Sequence, residues 1–219
     1  MMPLAHIFRP IISAISSIRK QPLVILLLLM PTLSQAGEWN IKQLMTQLAQ
    51  VQTSHAFFVE KKAIAMLTAP VESSGELIYT APDYLEKRTI KPKRESMTLD
   101  KDTLNIELST QQNLPIGGKQ TSNKHYQLQL QDYPEIAVFI DSIRGTLAGD
   151  LPALQKNYQL SLAGNVDDWT LSLNPTHKKM QALIKKIDIS GKQNVLYRIE
   201  INQADGDSSL MLIKQQPTP

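Results

Sequence analysis

Apolar residues change their spacing near residue 55. Before it, Ile41, Leu44, Met45, Leu48 and Val51 recur every three or four positions, with Lys42, Gln43, Gln47 and Gln50 between them. That spacing predicts an amphipathic helix of about four turns with one apolar stripe. After it the spacing is two. Leu104, Ile106 and Leu108 alternate with Thr103, Asn105 and Glu107, and Tyr126, Leu128 and Leu130 alternate with His125, Gln127 and Gln129. Each such strand has one dry and one wet face. Strand-like runs cover residues 55–66, 74–80, 85–90, 95–100, 103–109, 124–130, 157–163, 168–174, 181–189, 194–203 and 208–214, eleven in all. Most are separated by Gly, Asn, Asp or Pro, with the clearest turn signals at Asp100-Lys101-Asp102, Gly191-Lys192 and Ala204-Asp205-Gly206-Asp207. Short strands this close together predict a mainly β (α+β) protein, an antiparallel meander curling into a barrel or sandwich.

The meander is interrupted once. Asp132, Pro134 and Glu135 supply an N-cap, a helix-compatible proline and a capping-box carboxylate. Ile136, Phe139, Ile140, Ile143 and Leu147 then follow at helical spacing until Leu147-Ala148-Gly149, and a short turn over Pro152–Lys156 leads back to strands. The sheet's dry face is therefore expected to lie under two helical segments, one before it and one inserted in it.

The run from Gly75 to Pro82 reads Gly-Glu-Leu-Ile-Tyr-Thr-Ala-Pro, and it follows the helix and the apolar strand His55-Ala56-Phe57-Phe58-Val59. This order resembles the periplasmic lipoprotein carriers of the LolA type, in which a helix, a Phe-x-Gln/Glu strand and a Gly-x-Leu-x-Tyr/Phe-x-x-Pro hairpin open an incomplete barrel. The resemblance implies one unclosed antiparallel barrel of about eleven strands over residues 37–219, with an N-terminal helix and an inserted helical lid. It implies a monomeric periplasmic carrier, not an enzyme, with no cofactor. The cargo would be an acylated lipid or lipoprotein, taken from a transient inner-membrane donor to an outer-membrane acceptor. On strand parity the lipid-binding lining would be Leu77, Tyr79, Leu104, Ile106, Leu108, Leu128, Leu130, Leu160 and Leu171, with Leu162 and Leu173 beside them, and Ile136, Phe139, Ile140 and Ile143 from the lid. The strands at 55–66 and 208–214 are apolar on both parities and stay unassigned. Met45, Met97, Met180 and Met211 suit an adaptable pocket as well as an ordinary core. In such carriers an Arg soon after the hairpin proline helps to hold the lid closed. Here Glu86 takes that place, so the latch is Arg88 in a shifted register, Arg144 from the inserted helix, or absent.

Residues 1–36 read as a secretory signal peptide. Arg9, Arg19 and Lys20 precede the apolar run Pro22–Met30, and Ser34-Gln35-Ala36 supplies a cleavage site. That run falls short of the roughly 20 residues a transmembrane helix needs. These three cations carry the whole formal charge of +3, so the remainder is balanced and has no global pull toward nucleic acid. Lys91-Pro92-Lys93-Arg94 is a basic cluster, either a solvated turn or a contact for a partner or acidic head groups. The chain has no Cys, hence no disulfide and no lipid attachment through Cys.

An exported hydrolase or acyltransferase is the enzyme alternative. Beyond the leader the only histidines are His55, His125 and His177, and neither a Gly-x-Ser-x-Gly elbow nor a His-Glu-x-x-His helix is present. No metal site is expected: Asp205-Gly206-Asp207 lacks the ligand ladder of a calcium loop, and Asp167-Asp168 fits the start of a strand. An envelope assembly module, binding a protein partner on the same concave sheet, is the other alternative.

Overall fold

The structure is a computed structural model that describes residues 39–113 and 119–216. The leader expected over residues 1–36 lies outside the described residues.

The first helix, α1 (Ile41–Leu48), starts with reciprocal bonds: Asn40 Oδ1 accepts from the Gln43 N–H and Gln43 Oε1 from the Asn40 N–H, both at 3.1 Å. Leu44, Met45 and Leu48 bury its apolar stripe. The helix is shorter than its periodicity predicts, because Gln52 is already drawn into the sheet, its carbonyl accepting from Ala81 N–H at 2.8 Å. Val51 thus lies beyond the helix end.

Eleven strands follow in one antiparallel sheet: β1 (Thr53–Ala63), β2 (Val71–Thr80), β3 (Tyr84–Lys91), β4 (Glu95–Asp100), β5 (Thr103–Asn113), β6 (Lys119–Gln129), β7 (Tyr158–Asn165), β8 (Asp168–Pro175), β9 (Ile184–Lys192), β10 (Val195–Gln203) and β11 (Ser208–Gln215). Their spatial order is β6-β5-β4-β3-β2-β1-β11-β10-β9-β8-β7. The first and last strands pair at the centre, and β6 and β7 are unpaired edges, so the barrel is not closed. The chain crosses from one edge to the other through a 3₁₀ turn (Leu130–Asp132), α2 (Pro134–Leu147) and α3 (Leu151–Asn157). A short α4 (Lys178–Gln181) joins β8 to β9.

Three local expectations are corrected. Asp132 closes the 3₁₀ turn, while Tyr133 is the N-cap of α2 and makes no side-chain cap bond. The box expected between Asp132 and Glu135 is therefore out of register by one residue. Residues 181–183 are not strand: α4 turns Met180 into the core, and Gln181 Nε2 donates to Pro175 O at 2.8 Å. Gly191 is not the hairpin turn but lies inside β9, where a Cβ would meet the Trp169 ring at 2.3 Å. The turn falls at Gln193, whose φ is 52°.

Strand registers carry one apolar face across the whole sheet. One row runs Leu162, Leu171, Ile189, Ile199, Met211 and Glu60 from β7 to β1. Another runs Ser54, Tyr79, Leu85, Leu99, Leu104 and Leu128 from β1 to β6. On β7, β8 and the middle of β9 this face is covered by α1 and α3. Trp169, Leu171, Leu173, Ile187 and Ile189 are buried there against Leu44, Leu48 and Leu154. Beyond β1 the cover is thinner. Leu99, Leu104 and Leu130 form a second, small cluster with Ile106, Leu128, Ala137 and Ile140 around them.

Candidate functional site

Between the two packed regions the inner face leaves a cavity of about 610 Å³. Its floor comes from the sheet: Ala56, Leu77 and Tyr79 centrally, Leu85, Met97, Leu99 and Leu104 on one flank, Ile199, Ile201, Met211 and Ile213 on the other. Its roof is one face of α2, with Ile136, Phe139, Ile140, Ile143 and Leu147. Pro134 starts this helix, and the 3₁₀ turn before it sets its direction, so aliphatic side chains three and four apart point at the sheet.

Of the expected lining, Leu77, Tyr79, Leu104, Ile136, Phe139, Ile140 and Ile143 stand on the cavity wall. Ile106, Leu128 and Leu130 belong to the neighbouring small cluster instead. Leu108 faces inward farther along β5, opposite Glu95 and Lys124 and off the wall. Leu171 is fully buried in the main core together with Leu173, and Leu160 and Leu162 pack against that core. Parity placed these leucines on the correct face, but α1 and α3 cover that stretch of it, so packing and not open space meets them.

The two latch candidates separate cleanly. Arg88 lies on the outer side of the sheet, bonded to Glu86 at 2.7 Å and Glu76 at 3.1 Å. Arg144 on α2 reaches the β4–β5 turn, donating to Lys101 O at 2.8 Å, and pairs with Asp141 at 2.6 Å and Asp102 at 3.5 Å. Of the two, Arg144 is the one that ties the roof to the sheet's rim.

The cavity wall also holds charge. Glu60, 4% exposed, stands where the aliphatic row through Met211 would otherwise continue. Lys87 Nζ donates to its Oε2 at 2.5 Å and Ser209 Oγ to its Oε1 at 2.6 Å. Ser73 Oγ lies at 3.3 Å and Lys62 Nζ at 3.7 Å. Burial pushes the Glu60 carboxyl up, but hydrogen bonds from Lys87 and Ser209 and the charges of Lys87 and Lys62 outweigh it and hold the group below its ordinary range. Lys87 also lies 5.0 Å from the Phe58 ring centroid. Glu60, Lys62, Lys87 and Ser209 all line the cavity. The Tyr79 hydroxyl is buried on the same wall without a hydrogen-bond partner. Burial raises its pKa, with the Asp83 charge adding to the effect. The sequence reading missed the charged group because β1 and β11 are apolar on both parities. The Phe-x-Glu pattern at Phe58–Glu60 was the available signal.

Among the described residues the three candidate histidines lie apart from one another on separate elements. His55 and His125 each approach a single carboxylate, Glu76 and Glu107, at 3.7 Å, and His177 precedes α4. Among the described residues no group of three or more His, Asp or Glu side chains could hold a metal. The Asp205 and Asp207 carboxylates accept backbone N–H groups at 3.0 and 2.8 Å, within the turn and from Ala65. No described helix is long and apolar enough to cross a membrane.

An unclosed antiparallel barrel with a helical roof over an apolar cavity defines the class. The chain matches the family described as "Outer membrane lipoprotein carrier protein LolA-like" over residues 34–216, and it belongs to that family. No curated protein matches it. Among solved structures it is similar to a LolA superfamily protein from Nitrosomonas europaea, at 10% identity and TM-score 0.38, covering 82% of this chain and 94% of that one. It is also similar to a chain of the Pseudomonas aeruginosa MucA/MucB complex, at 10% identity and TM-score 0.40, covering 82% and 58% respectively.

Proposed function

We propose that this protein is a periplasmic carrier that holds the acyl chains of a lipoprotein or another lipid in its cavity while the cargo passes from the inner to the outer membrane. The observation that supports this most is the cavity: a lidded, mainly aliphatic space of about 610 Å³ in a member of the lipoprotein-carrier family. That volume lies within the roughly 300–1,000 Å³ typical of small-molecule sites. The physical need is large. At about 0.8 kcal/mol per methylene, a chain of some sixteen carbons costs roughly 12 kcal/mol to keep in water.

Binding suits this wall better than catalysis. Its aliphatic and methionine side chains adapt to a chain of variable shape, and α2 covers the surface that cargo would occupy, so roof contacts compete with cargo contacts. Competition of this kind lets a carrier release what it binds.

The test is native mass spectrometry with lipid extraction on protein purified from the periplasm without detergent. A stoichiometric acylated adduct is the expected result and would identify the cargo. Protein that stays empty when membranes carrying candidate lipids are supplied, yet pulls down a stable protein partner, would replace this reading with that of an assembly module.

A further inference from the structure

We propose that the charged patch on the cavity wall is a head-group site, selecting an amphiphile with a single negatively charged head, carboxylate or phosphate, whose chain lies along the aliphatic floor. This rests on the reading of the cavity as a lipid site and adds the cargo's charge to it.

Two observations carry the inference. The first is a local charge balance: two ammonium groups, Lys87 and Lys62, stand around the one carboxylate of Glu60, so this cluster carries one positive charge more than it balances, while Glu86, the other carboxylate on the wall, is taken up by Arg88 at 2.7 Å on the outer side. An ammonium has three donors and no acceptor, and among side chains Lys87 spends one on Glu60, which leaves donors for an incoming anion. Glu60 is not free to take a second partner's place: Ser209, Ser73 and Lys87 already fix it, and it in turn fixes Lys87 against the wall. A buried ion pair of this sort contributes little to stability compared with aliphatic residues of similar size, so packing alone gives no reason for it.

The second observation is the direction of charge along the strands. The end of β1 at which Lys62 lies is also the end of the β3–β4 turn, with Lys91, Lys93 and Arg94, and of α4 and the start of β9, with Lys178, Lys179, Lys185 and Lys186, which together outnumber Asp205 and Asp207 of the β10–β11 turn beside them. The opposite end carries Asp100 and Asp102 at the β4–β5 turn and Asp167 and Asp168 at the β7–β8 turn. Arg144 and Lys192 pair with Asp102 and Asp167 there, so the Lys62 end is the more positive of the two; an anionic head is drawn toward it, which orients the chain along the floor.

The experiment measures the affinity of the full chain for palmitate, hexadecyl phosphate and hexadecanol, below the concentrations at which they self-associate. The two anions should bind about tenfold tighter than the alcohol, the factor expected of one charge-assisted contact in a partly dry site. A tighter palmitate or tighter phosphate separates the two head-group chemistries. Lys62→Met, at a half-exposed position where folding is not at risk, and Lys87→Met should each reduce that preference, the ratio of anion to alcohol affinity in the same variant, at least threefold. Equal affinity for all three probes in the unaltered protein, or an unchanged preference in Lys62→Met, would overturn the head-group site and leave the carrier reading standing. Failure to bind any probe would overturn both.

Discussion

The two halves of the sheet's inner face are built from the same kinds of residue and end in different states. On β7, β8 and the middle of β9, leucine and isoleucine rows meet α1 and α3 and leave no space. Leu171, Leu173, Ile187 and Ile189 are completely buried. On β1–β5, rows that are apolar apart from the Glu60, Lys62 and Lys87 cluster meet only α2, and Leu77, Leu85 and Met97 remain part-exposed on a cavity wall. The difference lies in the cover, not in the strands. One half supplies the stability that lets the other stay hollow.

Truncation tests that division most directly. Trp169→Ala removes a buried ring and its hydrogen bond to Gln193 O, so it should lower unfolding stability by roughly 3–5 kcal/mol. Met97→Ala, which trims a wall already facing open space, should lower it by about 1 kcal/mol or less. Denaturant titration of both variants checks the contrast. Equal losses would mean that the cavity half is as tightly packed as the other.

The next largest effect belongs to the roof. Ile140→Glu places a carboxylate on the face of α2 that lines the cavity, and should weaken binding of a fluorescent acyl probe at least tenfold while the sheet stays folded. Unchanged affinity in a folded variant would remove α2 from the site. Arg144→Ala acts on the same roof from its edge, breaking the bonds to the β4–β5 turn. An exposed tie of this kind contributes up to about 1 kcal/mol, so global stability should barely move. Hydrogen exchange within α2 should nevertheless accelerate, and probe association with it. Exchange confined to its original rate would show that apolar contacts alone keep the roof shut.

The sequence made the strands legible because every strand has one face that must be dry, and alternation reveals that face wherever the other is polar. It placed Leu77, Tyr79 and Leu104 on the cavity side for that reason. Alternation is silent about what lies opposite, so Leu160 and Leu171 read the same as cavity residues although α1 and α3 seal them. Where both faces are apolar, as at Phe57, Phe58 and Val59, parity gives no answer, and there the buried Glu60 was missed. Local signals failed where tertiary contacts overrode them. Gly191 looks like a turn residue, but its missing side chain makes room for Trp169.

The smallest predicted effects distinguish the halves by pH. Glu60, in the hollow half, has its carboxyl held below its usual 4.5, so its contribution to stability is complete above about pH 4.5 and is lost as pH falls through the lowered value. Tyr158, in the packed half, bonds to Val138 O at 3.2 Å, and burial pushes its phenol from 10 up to about 12. Its contribution is therefore complete below pH 10 and is lost as pH rises toward about 12. Glu60→Gln should differ from the unaltered protein by an amount that shrinks in acid, and Tyr158→Phe by an amount that shrinks in alkali. Denaturant midpoints of the two variants, followed from about pH 3 to 7 and from about pH 9 to 12, would read both trends. If the Glu60→Gln difference stayed constant through the acid range, the carboxylate would not be held charged by Lys87 and Ser209. The charge balance on which the head-group site depends would then fail with it, whatever the packed half does in alkali.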